Sequence, residues 1–140
     1  MASSIRQSAA IPVRSGQICM VTSTNGRRWI IPKGMIDPGH TAGEAALQEA
    51  WEEAGLVGTL QPEPVGSYAY EKWGGTYLVT VFVMNVTDAL DEYPERNARD
   101  REWLSPVEAI ERIQEPGLRD IIAHVFGFED AEMLLRSVED

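Results

Sequence analysis

Glu49, Glu52 and Glu53 stand at i, i+3 and i+4 in the segment T-A-G-E-A-A-L-Q-E-A-W-E-E-A-G-L that begins at Thr41. In a helix that spacing puts three carboxylates on one stripe about a turn long. Like charges so placed repel by about a few tenths of a kcal/mol per pair, the inverse of an i,i+4 ion pair. No lysine or arginine lies within the segment to offset them. A hard divalent cation would. Mg2+ takes carboxylate oxygens, keeps several waters and shares its remaining positions with substrate phosphates, and Mn2+ accepts the same donors. The competing reading is a solvated face, which is what a Glu-rich helical stripe usually is. Context weighs against it: a short apolar run, a Pro-Lys-Gly loop, the helix and Glu-Glu-x-Gly follow one another without a break over residues 29–56.

The elements that must position these carboxylates are well marked. Residues 29–32 form an apolar run ending at Pro32, and residues 33–40 form a glycine-punctuated loop. Thr41 is a suitable N-cap and Glu44, three residues on, completes a capping box. The helix is predicted over residues 41–54, with Gly55 free to take the left-handed conformation that closes it. Gly43, Ala46, Leu47, Ala50 and Ala54 make a second, small and apolar stripe able to press close against a sheet.

In this order the segment resembles the signature of the Nudix hydrolase family, G-x5-E-x7-R-E-U-x-E-E-x-G-U, with U a bulky apolar residue. Aligned on Gly34, the chain matches at Gly34, Glu49, Glu52, Glu53, Gly55 and Leu56. It departs at His40, where the family has its first Glu, and at Gln48, where it has Arg; Ala50 is a small U. The two missing residues commonly interact or orient the catalytic carboxylate in the family, so their joint loss reads as a paired replacement. The resemblance implies an α/β/α sandwich with a mixed β-sheet, a Mg2+ (or Mn2+) site at Gly34, Glu49, Glu52 and Glu53, and catalysis by the three glutamates.

Composition bounds the rest. At 140 residues the chain is one domain's length, enough for a core without disulfides. A net charge of −10 argues against a nucleic-acid or anionic-membrane surface. An anionic small-molecule substrate would then need a metal and a few local cations. Cys19, the single cysteine, lies in I-C-M-V and reads as a buried small hydrophobe. The first twelve residues lack a leader's apolar core and no segment approaches a membrane span, so the expectation is cytoplasmic. The sequence is compatible with a homodimer and does not decide it.

Along the chain, residues 5–13 read as a first strand with Pro12 marking an edge or an end. Residues 17–22 and 28–31 read as a hairpin turning at Asn25-Gly26. Arg27, Arg28 and Lys33, so close to the acidic helix, are phosphate-contact candidates; solvated cations are the alternative. Residues 57–61, 66–71 and 76–86 read as further strands, the last two paired across a turn at residues 72–75. Tyr68, Tyr70 and Trp73 could stack a base, Tyr70 being the one assigned to substrate, although such aromatics are more often core or rim. Residues 88–102 form a charged loop that resembles the family's region supplying a further acid, with Glu92, Glu95 and Asp100 as candidates. Arg96, Arg99 and Arg101 meet phosphates or pair with those acids. Residues 102–104 read as a last strand, Ser105-Pro106 with Glu108 as a second capped helix start, and residues 118–126 as a helix. His124 reads as a surface or packing residue, and residues 129–140 as a loosely held acidic tail.

The resemblance implies metal-dependent hydrolysis of a phosphoanhydride in a nucleoside diphosphate derivative or dinucleoside polyphosphate. R-R-W-I-I-P-K-G, G-S-Y-A-Y-E-K and W-L-S-P are similar to the branch that includes diphosphoinositol polyphosphate and diadenosine polyphosphate hydrolases. With only two lysines in an acidic chain, a pocket for inositol phosphates is disfavoured. The alternative, a nucleotide-binding or regulatory domain of the same fold with little hydrolysis, rests on His40 and Gln48.

Overall fold

The computed structural model describes residues 4–139. Residues 1–3, which open the stretch read as lacking a leader, and residue 140, which ends the acidic tail, lie outside the described residues. The elements run β1 (Ile5–Arg14), β2 (Gln17–Thr22), β3 (Trp29–Ile30), β4 (Lys33–Met35), α1 (Ala42–Ala54), β5 (Leu56–Leu60), β6 (Gly66–Lys72), β7 (Gly75–Ala89), β8 (Arg101–Leu104), α2 (Pro106–Arg112), α3 (Pro116–Val125) and α4 (Ala131–Glu139).

The strands form a mixed sheet. β1 and β7 run parallel at its centre, from Ile5 opposite Tyr77 to Val13 opposite Asn85. β2, β4, β5, β6 and β8 attach antiparallel to this pair or to one another. Because side chains alternate along a strand, Ala9 and Ile11 of β1 face one core and Ala10 faces the other. β7 divides in the same way, with Val79 and Val81 on one face and Phe82, Met84 and Val86 on the other. α1 covers the second face through Ala46, Ala50 and Ala54. α2, α3 and α4 cover the first through Ile110, Leu118, Ile122 and Leu134. This is the expected α/β/α sandwich.

Three local expectations are corrected. Pro12 does not mark an edge: β1 is central, and Pro12 falls where that strand changes partner from β4, at Gln7–Ala9, to β2, at Val13 and Arg14. At that junction a missing N–H interrupts neither ladder. The segment after Pro32 is not all loop, because Lys33, Gly34 and Met35 pair with Ala9, Ser8 and Gln7. The acidic tail is docked, since α4 buries Ala131 and Leu134 against the α2/α3 core.

Candidate active site

α1 begins and ends as its sequence predicts. The Glu44 N–H donates to Thr41 Oγ1 at 3.1 Å and the Thr41 N–H donates to Glu44 Oε1 at 2.8 Å. Gly55 closes the helix at φ 67°. With the small stripe against the sheet, the glutamate stripe falls along the edge where α1 meets β4, and Glu53 is only 6% exposed. Glu49 and Glu52 beside it are half-buried. The Lys33 backbone N–H donates to Glu53 Oε1 at 3.1 Å, so β4 holds the carboxylate from one side. Gly34 lies against Glu49 so closely that a Cβ there would overlap the Glu49 carboxylate.

The electrostatics follow from this crowding. Burial, then the charges of Glu53 and Glu52, push the Glu49 carboxyl up to about 8. Burial pushes Glu53 up to about 7, against the opposing pull of Arg99 and of the Lys33 N–H bond. Glu52 accepts a hydrogen bond from Gln48 Nε2 at 2.7 Å.

The loop between β7 and β8 completes the site. Arg99 pairs with Glu53 at 3.4 Å and with Glu95 at 2.9 Å. Glu95 also donates its N–H to the Glu52 carbonyl at 2.9 Å. Of the three loop acids left open by the sequence, Glu95 is therefore the one brought beside the helix. Glu92 instead pairs with Arg96 at the surface. The Asp100 N–H donates to Thr22 Oγ1 at 2.9 Å and its carbonyl accepts from the Thr22 N–H. Arg101 donates to the Ala54 and Leu90 carbonyls at 2.7 and 2.9 Å, which tethers the loop to the negative end of the α1 dipole.

His40 and Gln48 line one cavity of about 480 Å3 together with Met35, Asp37, Glu49 and Glu52. A second cavity, about 580 Å3, is lined by Arg28, Tyr70, Lys72 and Glu115 among others. Arg28 is paired there with Glu115 at 3.3 Å. The Tyr70 ring stacks on Tyr77 with centroids 4.9 Å apart, Lys33 Nζ lies 5.1 Å over it, and its hydroxyl donates to Gln7. An engaged ring of this kind forms a wall more readily than a free stacking platform. Tyr68 is core, while Trp73 is 85% exposed at the β6–β7 turn. Arg27 is exposed in the β2–β3 turn, apart from the residues lining this cavity. Lys33 lies between the two regions: burial lowers its pKa, Glu53 and Glu115 raise it, and Arg28 and Lys72 lower it further.

The donor set fits a hard cation. Glu49, Glu52 and Glu53 offer only oxygen, burial raises the carboxyl pKa values of Glu49 and Glu53, and a Cβ on Gly34 would overlap Glu49. Among the described residues, no group of three or more His, Cys, Asp or Glu side chains is placed to hold a metal ion by itself. Mg2+ does not need one, because it is commonly held by one or two carboxylates, waters and substrate phosphates. Sequence reasoning missed the contact of Arg99 with Glu53 and the burial of Glu53. The Glu95–Arg99 i,i+4 spacing was the one local hint; the approach to Glu53 spans 46 positions.

Residues 5–125 match the family model described as NUDIX domain. Nudix hydrolase 12, mitochondrial, of Arabidopsis thaliana is 30% identical over 132 residues, which cover 89% of this chain and 65% of that protein. Diphosphoinositol polyphosphate phosphohydrolase 3-beta of Homo sapiens is 32% identical over 105 residues, 72% of this chain and 62% of that one. The chain thus spans less than two-thirds of the length of either relative. Among solved structures, a C. elegans Ap4A hydrolase binary complex has a TM-score of 0.73 at 20% identity, covering 89% of this chain and 99% of that one. The E. coli ORF135 protein has a TM-score of 0.70 at 23% identity, covering 98% and 94%.

Proposed function

The chain belongs to the NUDIX domain family, and from that premise we propose that it hydrolyses a phosphoanhydride bond in a nucleoside diphosphate derivative or a dinucleoside polyphosphate. The observation that carries the reading is the glutamate stripe at the α1–β4 edge, with Glu53 buried and clamped and Glu49 pressed against Gly34. Glu49, Glu52 and Glu53, with Gly34 beside them, would hold Mg2+ or Mn2+. A cation there would supply charge neutralisation for phosphate oxygens and a more acidic water.

The chain's own groups do the rest. Glu49, pressed against Gly34, would take the proton from the attacking water where it does not itself hold the cation. Glu95 stands as the second carboxylate within the same charge cluster. Lys33, with Arg28 and Lys72 beyond it, provides positive charge for a phosphate chain leading away from the glutamates. Both lysines of the chain belong to this group. Arg28 is shared with Glu115, so the cavity carries too little free positive charge for a densely phosphorylated ring. A nucleotide or dinucleotide with a short phosphate chain suits it better.

The test is release of phosphate or nucleoside monophosphate from a panel of dinucleoside polyphosphates, nucleotide sugars and diphosphoinositol polyphosphates, with Mg2+ and with chelator. Turnover that needs the cation and falls roughly a hundredfold in Glu53→Gln is expected. Nucleotide binding with no turnover on any member would favour the regulatory reading.

A further inference from the structure

The Arg99 side chain is 7% exposed, and each of its three nitrogens has a different partner. Nη2 lies 3.4 Å from Glu53 Oε2, Nε donates to Glu95 Oε1 at 2.9 Å, and Nη1 donates to the Thr22 carbonyl at 2.9 Å. One guanidinium therefore joins the end of β2, the glutamate helix and the β7–β8 loop. We propose that Arg99 is a positioning residue for the metal site, fixing the Glu53 carboxylate and its spacing from Glu95. The inference rests on the metal-dependent reading of the site given above.

Two observations separate this role from simple fastening of the loop. The loop is already tied down by bonds that do not involve the Arg99 side chain. Glu95 N–H to the Glu52 carbonyl, Leu90 N–H to the Gly55 carbonyl and Thr22 N–H to the Asp100 carbonyl are backbone pairs of 2.8–3.1 Å. Arg101 adds the Ala54 carbonyl. Glu53, by contrast, has one oxygen on the Lys33 N–H and the other on the Arg99 guanidinium. With both oxygens held, the plane of the carboxylate is set. A guanidinium spreads its donors over three nitrogens in a fixed planar fork, as the separated carboxylates and carbonyl require; an ammonium group carries its three donors on one atom and would have to draw all three acceptors to it.

Mn2+ alone, titrated by calorimetry into the metal-free full chain, tests the proposal because positioning and plain charge predict opposite signs. Removing a nearby cation should tighten Mn2+ binding if charge alone matters. Positioning predicts that Arg99→Ala binds Mn2+ about tenfold to a hundredfold more weakly, the usual loss when a residue orienting a metal ligand is removed. Arg99→Lys keeps the charge and is expected to bind several-fold more weakly than the parent; it decides the matter alone if Arg99→Ala does not fold. Parent-like or tighter binding in the variant that folds overturns the proposal. So does weakened binding accompanied by loss of amide-exchange protection across residues 90–100, which would make Arg99 a loop fastener. If the parent protein itself fails to bind Mn2+, the metal-dependent reading falls and this inference falls with it. Parent binding with an unaffected variant removes only the role of Arg99.

Discussion

Glu49 and Glu53 are held in the folded chain with pKa values of about 8 and about 7, raised from an ordinary 4.5 chiefly by burial. A raised carboxyl pKa means that the folded state binds the proton more tightly than the unfolded state. The stability these groups allow is therefore complete below about pH 4.5 and is lost progressively up to about 8. In chelator, thermal unfolding is expected to shift to lower temperature as pH rises through that window, and excess Mg2+ should reverse most of the loss. A Tm that is flat with pH in chelator would contradict the electrostatic reading. His40 and Gln48 share a cavity wall with Glu49 and Glu52. His40→Glu combined with Gln48→Arg should therefore change kcat/KM non-additively, by at least about 0.5 kcal/mol of coupling. Additive single changes would show the two positions to be independent.

At the scale of elements, α1 works because its two stripes are made from different residue sizes. Alanines at positions 46, 50 and 54 let the helix lie close on the sheet, and that closeness brings Glu53 within reach of the Lys33 N–H. The helix must also stop where it does, so that the Gly55 carbonyl and the Glu52 carbonyl can receive the loop amides. Gly55 has φ 67°, and a Cβ there would overlap the Tyr93 ring. Gly55→Ala is therefore expected to cost at least about 2 kcal/mol from the left-handed backbone and the clash together. Circular-dichroism melting reads the stability, and Mn2+ affinity should fall with it because the loop loses its seat.

At the scale of the molecule, the parallel β1–β7 pair places residues far apart in sequence side by side and leaves both faces of the sheet to be covered. α1 covers one face with the site along its edge, while α2, α3 and α4 cover the other. The last helix is part of that second layer. Leu134 is 4% exposed in the core it shares with Leu118 and Ile122. Leu134→Ala should destabilise by about 2–5 kcal/mol, measured by denaturant unfolding, with Mn2+ affinity unchanged at temperatures where the protein stays folded. A stability change within error would show the tail to be dispensable.

What the sequence determined by itself is local. The two capping boxes, the glycine stop at Gly55, the β2–β3 and β6–β7 hairpins and the alternation of β7 are written in neighbours a few positions apart, and each follows from backbone geometry. The glutamate stripe was legible for the same reason, being one helix face, whereas Gly34 was singled out only by the resemblance to the family signature. Tertiary structure decided what that stripe meets. Whether Glu53 is solvated or buried depends on β4 pairing with β1, which a Pro-Lys-Gly segment does not announce. The choice of Glu95 over Glu92 and Asp100, and the use of Arg99 as the opposing charge, depend on how the loop folds back onto the end of α1. Pro12 reads as an edge until it is known that β1 changes partners at that residue. In each case the deciding partner lies tens of residues away. Local pattern records which side chains a segment offers; only the packed chain sets the burial, and hence the dielectric and the charges, that give those side chains their chemistry.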